Sequence, residues 1–243
     1  LLTALCISNF TFAATVDMVN SDLFNAFSLG GTVSYNQVDS NNTVLILAVV
    51  GENGFATASA IYDPGPDQIN AVNHVEVDQN GAWVQLLTFD LGTVSAGNVD
   101  ITLNGVTGDV SFFQLEDATV TGLSTASDTA TNGIVSTAPD FTGLDSGSFI
   151  LSAVTSKQGQ PSNGTWSADG SPTFSNVFDS GGFLTGVSYQ TDTTGTTLSW
   201  THGDVTDNHA LAAIAIAAVP EPSSLVLVGL AVGTTFLLRR KRR

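Results

Sequence analysis

The sequence predicts an all-β protein, a single jelly-roll-like β-sandwich with an export signal before it and a short membrane helix after it. Three observations carry that expectation. Charged residues make up only 12% of the chain, while 42% is hydrophobic, a mixture that leaves long helices without the Glu, Lys and Arg their wet faces need. Short runs of β-branched and aromatic residues recur along the chain, separated by Gly, Asn, Asp and Pro. Several of the runs alternate polar and apolar, as Val99-Asp100-Ile101-Thr102-Leu103 does, which puts Val, Ile and Leu on one face of a strand.

The strongest strand signal is Thr43-Val44-Leu45-Ile46-Leu47-Ala48-Val49-Val50, a continuous apolar run that fits a strand buried on both sides or in a sandwich centre. Further strands are expected over 55–62, 69–77, 82–89, 99–103, 110–115, 149–155, 183–190 and 196–201. Turn chemistry divides them at Asp63-Pro64-Gly65-Pro66, Asn80-Gly81, Asn104-Gly105 and Gly181-Gly182. The run 211–217, Leu-Ala-Ala-Ile-Ala-Ile-Ala, has alanines enough for a helix. The isoleucines and the proline that follows at 220 favour a central strand.

Charge is distributed very unevenly. The chain carries 6 Lys+Arg against 22 Asp+Glu, a net −16. Five of the six cations are Arg239, Arg240, Lys241, Arg242 and Arg243, so residues 1–238 hold only Lys157 against all 22 acids, a net −21. Such a body is repelled by phosphates, and nucleic acid is excluded as a partner. The single cysteine, Cys6, cannot form an intrachain disulfide. A lipid-modified Cys6 is disfavoured by Leu5, which stands where a small residue is wanted.

Both ends read as addresses. Residues 1–14 are apolar and close on Ala13-Ala14, the pattern of a signal peptide's hydrophobic core and cleavage site, with the basic start missing. Residues 15–218 form the β-sandwich domain. Residues 219–224 hold Val219-Pro220-Glu221-Pro222, and residues 225–238, LVLVGLAVGTTFLL, are an uncharged membrane helix. At ~1.5 Å per residue this helix spans roughly 21 Å, short of a ~30 Å hydrocarbon core. Residues 239–243 are a basic cytoplasmic stop-transfer tail by the positive-inside rule, which leaves the acidic body outside.

The box, the short apolar helix and the basic terminus, in that order and position, resemble the PEP-CTERM sorting signal of exosortase substrates. The resemblance covers residues 219–243 and implies an exosortase as partner, with Pro220, Glu221 and Pro222 as the recognition site. It also implies membrane attachment before processing, then the cell surface or extracellular matrix of a Gram-negative bacterium, and extracellular polysaccharide as a further partner. The order of body strands is loosely similar to bacterial extracellular β-sandwich modules, through 42–50, 196–201 and 211–217. That likeness implies a fold and no function.

Chemistry is sparse. There is no Gly-x-Ser-x-Gly nucleophile motif, and a chain cut after residue 14 has no cysteine. No catalytic residue and no resident cofactor are expected, with Ca2+ left open as a ligand of loop carboxylates. His202, Asp204, Asp207 and His209 are the metal candidates, against a plain solvated turn that uses the same letters. His74 reads as a structural surface histidine. Glu76 and Glu116 are the candidate pair for glycoside hydrolysis. Trp166, in a Ser/Gly-rich segment, is the candidate sugar-stacking residue, against the core position tryptophan usually takes. The leading expectation is a non-catalytic structural or adhesive surface protein. A carbohydrate-binding module stands second and a glycoside hydrolase-like enzyme third.

Overall fold

The computed structural model describes residues 16–27, 31–52, 59–63, 68–104, 108–131, 141, 144, 147–157, 166–168, 172–179, 183–193, 199–202 and 208–218. These residues form strands and no helix. The first eight strands are β1 (Asp17–Phe27), β2 (Gly31–Gln37), β3 (Ser40–Glu52), β4 (Ser59–Asp63), β5 (Ile69–Asn70), β6 (Val72–Gln79), β7 (Ala82–Val94) and β8 (Gly97–Asn104). The others are β9 (Gly108–Glu116), β10 (Ala118–Thr131), β11 (Ser148–Lys157), β12 (Trp166–Ala168), β13 (Phe174–Asp179), β14 (Phe183–Thr193), β15 (Trp200–His202) and β16 (Asn208–Ala218).

The strands pair into four antiparallel sheets. A first central sheet has the order β1-β9-β3-β7-β6, and a second has the order β10-β16-β11-β14-β13. An outer sheet, β2-β8-β4-β5, covers the first, and the small β12-β15 ribbon covers the second. The all-β expectation holds. The two facing layers expected of one sandwich are instead four, because each central sheet carries apolar side chains on both faces.

Strand β3 shows why. Its Val44, Ile46, Ala48 and Val50 pack with Phe149, Leu151, Ala153, Ile214 and Ile216 of the second central sheet. Its Leu45, Leu47 and Val49 point the other way and pack with Val33, Tyr35, Tyr62 and Ile101 of the outer sheet. A continuous apolar run is the only pattern that satisfies both faces at once. Strand β16 solves the same problem with small residues. Its Cα atoms come within 8 Å of those of β6 and β7, closer than the ~10 Å usual between stacked sheets, because Ala210 and Ala212 present only methyl groups there.

The 211–217 run is therefore a central strand, as expected, hydrogen-bonded to β10 on one side and β11 on the other. The expected strand over 69–77 divides at Ala71, so that β5 pairs in the outer sheet and β6 in the first central sheet. Strands β1, β2, β10, β12 and β13 lack a strong sequence signal. β10, ATVTGLSTASDTAT, is made of small polar residues and is held by its ladder to β16. The Asn80-Gly81 turn forms as expected, with φ of 49° and 101° and Gln79 paired to Ala82 across it, a two-residue hairpin of the type those residues favour. The other three expected turns fall wholly or partly outside the described residues.

Buried polar groups tie the layers together. Gln114 of β9 donates through Nε2 to Val38 O at 2.8 Å and to Ser40 Oγ at 2.7 Å. Its Oε1 accepts from Val38 N at 3.1 Å and from the Tyr35 hydroxyl at 3.4 Å. One side chain thus fixes where the chain crosses from β2 to β3. Between the central sheets, the Thr185 hydroxyl donates to buried Asp109 at 3.1 Å, and Tyr189 lies against Phe113, Phe149 and Phe174.

Gly186 sits mid-strand in β14 because the Trp200 indole covers it. A Cβ there would lie 2.8 Å from two indole carbons and 3.1 Å from Val154 Cγ1, closer than packed carbons approach. Gly186→Ala is expected to destabilise the body by about 1–3 kcal/mol through overpacking, read as a lower midpoint in urea with an unchanged slope.

Candidate functional site

The expected recognition residues Pro220, Glu221 and Pro222, the apolar segment 225–238 and the basic cluster 239–243 lie outside the described residues, as do 1–15. No helix among the described residues is long and apolar enough to cross a membrane. The structure does define where the tail leaves the body. Strand β16 runs to Ala218, which pairs with Ala118 at the start of β10, while Ile216 pairs with Phe149 of β11. Pro220 has no N–H to extend this ladder, so the box begins where the strand ends.

The exit point belongs to a definable end of the body. Ala118 follows Asp117, whose φ of 52° makes the step from the first central sheet into the second. Asp117 N donates to Asn41 O at 3.2 Å, and Asn42 Nδ2 donates to Asp117 Oδ1 at 3.3 Å. The Thr93 hydroxyl donates to Asn41 Oδ1 at 3.2 Å. Val16, the first described residue, donates its N–H to Gly147 O at 2.8 Å, and Asp17 pairs with Glu116. The N-terminal edge of the body and the tail exit therefore share one end.

The sugar-stacking candidate is placed differently from the expectation. Trp166 is 4% exposed, and its Nε1 donates to Leu184 O at 3.1 Å. Trp200 meets it edge-to-face at 6.2 Å and His209 at 5.1 Å. Stacking on a sugar needs an open ring face, and here the indole fills the space between the β12-β15 ribbon and the second central sheet. Trp200 is fully buried and donates to Ser152 Oγ at 2.9 Å, which is in turn 2.9 Å from Ser188 Oγ. Trp83 is 2% exposed and donates to Glu76 Oε1 at 3.3 Å. All three tryptophans serve the core.

Of the metal candidates, Asp204 and Asp207 lie outside the described residues. His202 ends β15 with its backbone paired opposite Trp166, and His209 is fully buried on β16. Among the described residues no three His, Cys, Asp or Glu side chains gather closely enough to hold a metal ion.

Glu76 and Glu116 are kept apart by the register. Glu76 pairs with Gln85, Gln85 with Val49, and Val49 with Val110. Glu116 lies six residues further along β9. Three strand spacings across and six residues along separate the two carboxylates by roughly 25 Å, against the ~5–10 Å of a glycosidase pair. Glu116 instead accepts from Asn41 N at 3.2 Å. The buried carboxylate that sequence reasoning did not single out is Asp109. Only its position beside the alternating run 110–115 could have signalled it.

His74 stands at an irregularity of β6, between Asn73 and Val75, with Nε2 2.7 Å from the Thr88 hydroxyl. Burial lowers its pKa from 6.5, since the charged ring loses water. The fold therefore favours neutral His74. The associated stability is full above the unfolded value and is lost as pH falls through the lower folded value. His74→Gln is expected to keep the Thr88 contact and to lose less melting temperature than the parent between about pH 7.5 and 5.5. Thermal scans across that window check it.

No curated protein and no solved structure matches the chain. One family comparison does: residues 218–243 match the PEP-CTERM protein-sorting motif. The match begins at Ala218, the last residue of β16, so the motif and the folded body meet at the end of that strand. The protein is thus a chain with a β-sheet body that carries a C-terminal PEP-CTERM sorting signal, which implies export, a cell-surface destination and processing by an exosortase.

Proposed function

We propose that this is a non-catalytic structural or adhesive protein of the cell surface or extracellular matrix, released into that layer when its tail is removed. The observation that carries the reading is the junction at Ala218. The sorting motif begins at Ala218, where the body's last strand ends, so a cut at the Pro220–Pro222 box takes no residue from either central sheet. A protein whose membrane segment is expendable to its fold suits a temporary tether better than a permanent anchor. Proline lacks the N–H a helix needs and disfavours helical backbone in the residue before it, so a box with prolines at 220 and 222 suits a protease that takes an extended segment.

The non-catalytic reading is supported by the geometry of the candidates. The paired glutamates are far apart, and the tryptophans are used as core. Polysaccharide is the partner class we favour for an acidic, cysteine-free body in this setting. Recognition would then run through exposed polar faces, because no tryptophan among the described residues offers a ring.

Two measurements test this. Intact mass of the mature protein from its native host is expected to end near residues 220–223. Recovery of chains ending at Arg243 from cells with an active exosortase would overturn the sorting part. Purified residues 15–218 are expected to leave polysaccharides uncut. Hydrolysis that disappears on substituting a carboxylate would overturn the non-catalytic part.

A further inference from the structure

The edge of a β-sheet still has hydrogen bonds to give, and a folded protein either blunts that edge or uses it. Three edges of the central sheets are blunted. β1 breaks register at Met18/Asn20 and at Phe24/Phe27, and it carries Asp17 and Asp22. β6 breaks register between Asn73 and Val75 and carries Glu76 and Asp78. β10 breaks register between Thr119 and Ser124, and it lies against β6 of the facing sheet. In the outer sheet, β5 has only two residues. The β2 edge is occupied where Asn20 Nδ2 donates to Asn36 O at 2.6 Å.

β13 has none of these devices. It pairs with β14 without an irregularity, and its residues from Phe174 to Phe178 carry no charge. Among the described residues no strand lies on its other side. The Val177 N–H is taken by the neighbouring side chain, Asn176 Oδ1, at 2.9 Å. Residues 175 and 177 therefore turn their backbone N–H and C=O groups away from β14. Thr173, Ser175 and Val177 are exposed, and the 37% exposure of Val177 is apolar surface that an added strand would cover.

We propose that β13 is an assembly edge, and that its occupant is the β13 edge of a second copy of this chain, antiparallel about a two-fold axis at Asn176. That register sets Asn176 opposite Asn176, Ser175 opposite Val177, Phe174 opposite Phe178 and Thr173 opposite Asp179. No two acids face each other, so the contact avoids the repulsion that such acidic bodies would meet at the β1 or β6 edge. The two copies of Val177 become diagonal neighbours on the exposed face. A two-fold at Val177 would leave Phe174 with no partner inside the strand, and would make fewer hydrogen bonds. Because one axis consumes both edges, assembly stops at a dimer. Main-chain bonding along one short edge gives a modest, reversible contact, favoured where copies are crowded. The pairing holds however the tail is processed.

The test uses the full chain in its host, in a Cys6→Ser background that leaves no other cysteine. Asn176→Cys sets the new thiol opposite its own counterpart. This is a non-hydrogen-bonded pair with Cα atoms ~4.5 Å apart, within disulfide reach. Thr173→Cys is the control, because the same register holds its two copies roughly 20 Å apart. Copper–phenanthroline oxidation is read on non-reducing gels, on cells and over a dilution series of the purified protein. The expected result is severalfold more disulfide-linked dimer from Asn176→Cys than from Thr173→Cys. That excess is expected to vanish when Ser175→Pro is added, which removes an outward N–H. It is expected to vanish equally with Val177→Asp, which makes two carboxylates diagonal neighbours at an exposed position. Equal cross-linking of the two cysteine variants, or linked dimer that persists with either edge substitution, overturns the pairing. A chain that never reaches the surface still reports through the purified protein, so failure of the export reading is seen separately.

Discussion

Covering both central sheets on both faces is the constraint on which the rest of the molecule depends. A sheet with one wet face tolerates a polar residue at every second position. A sheet buried on both faces makes each polar group costly unless it finds a partner. Strands β3, β9, β11 and β16 are apolar through most of their length. The Thr155 and Ser156 hydroxyls of β11 are buried without a hydrogen-bond partner among the described residues, and several other exceptions show how that cost is met. Gln114 uses both ends of its amide against Tyr35, Val38 and Ser40. Ser152 joins Ser188 and the Trp200 indole. Asp109 receives the Thr185 hydroxyl. Each is also a tie between layers, so polar groups that would weaken a core here fix the relative position of the sheets.

The same constraint explains the use of aromatic and small residues. Tyr189 meets three phenylalanines drawn from both central sheets and the β13 edge, filling volume where the sheets stand apart. Alanines of β16 do the reverse and let the sheets close in. Trp166 and Trp200 fill the last gap, under the ribbon. The covering of the second central sheet is thin beside the four-stranded outer sheet of the first, and large indoles compensate for the few strands available.

Much of this was legible in the residues, and its limits have physical causes. The β3 run, the alternation in β8 and the Asn80-Gly81 hairpin are local signals, and they appear where expected. Strand β16 was readable because Pro220 follows it and isoleucines interrupt its alanines. Strand β10 was not, since threonines, serines and alanines have no strong preference until a neighbour supplies hydrogen bonds. The number of layers was hidden as well. A doubly buried strand and the centre strand of a simple sandwich share one apolar pattern, and only the pairing partners separate them. In the site, the sorting box was read from an uninterrupted stretch of sequence. The placement of Trp166 and the spacing of Glu76 from Glu116 depend on register, which no local spacing reveals.

Strand β16 is the last strand in the sequence, yet it lies between β10 and β11. Among the described residues no other strand bridges those two, so the second central sheet is unfinished until residues 208–218 are present. A chain threaded through a membrane from its N-terminus thus emerges as an open half-structure for almost its whole length. It closes only when the segment next to the tail arrives.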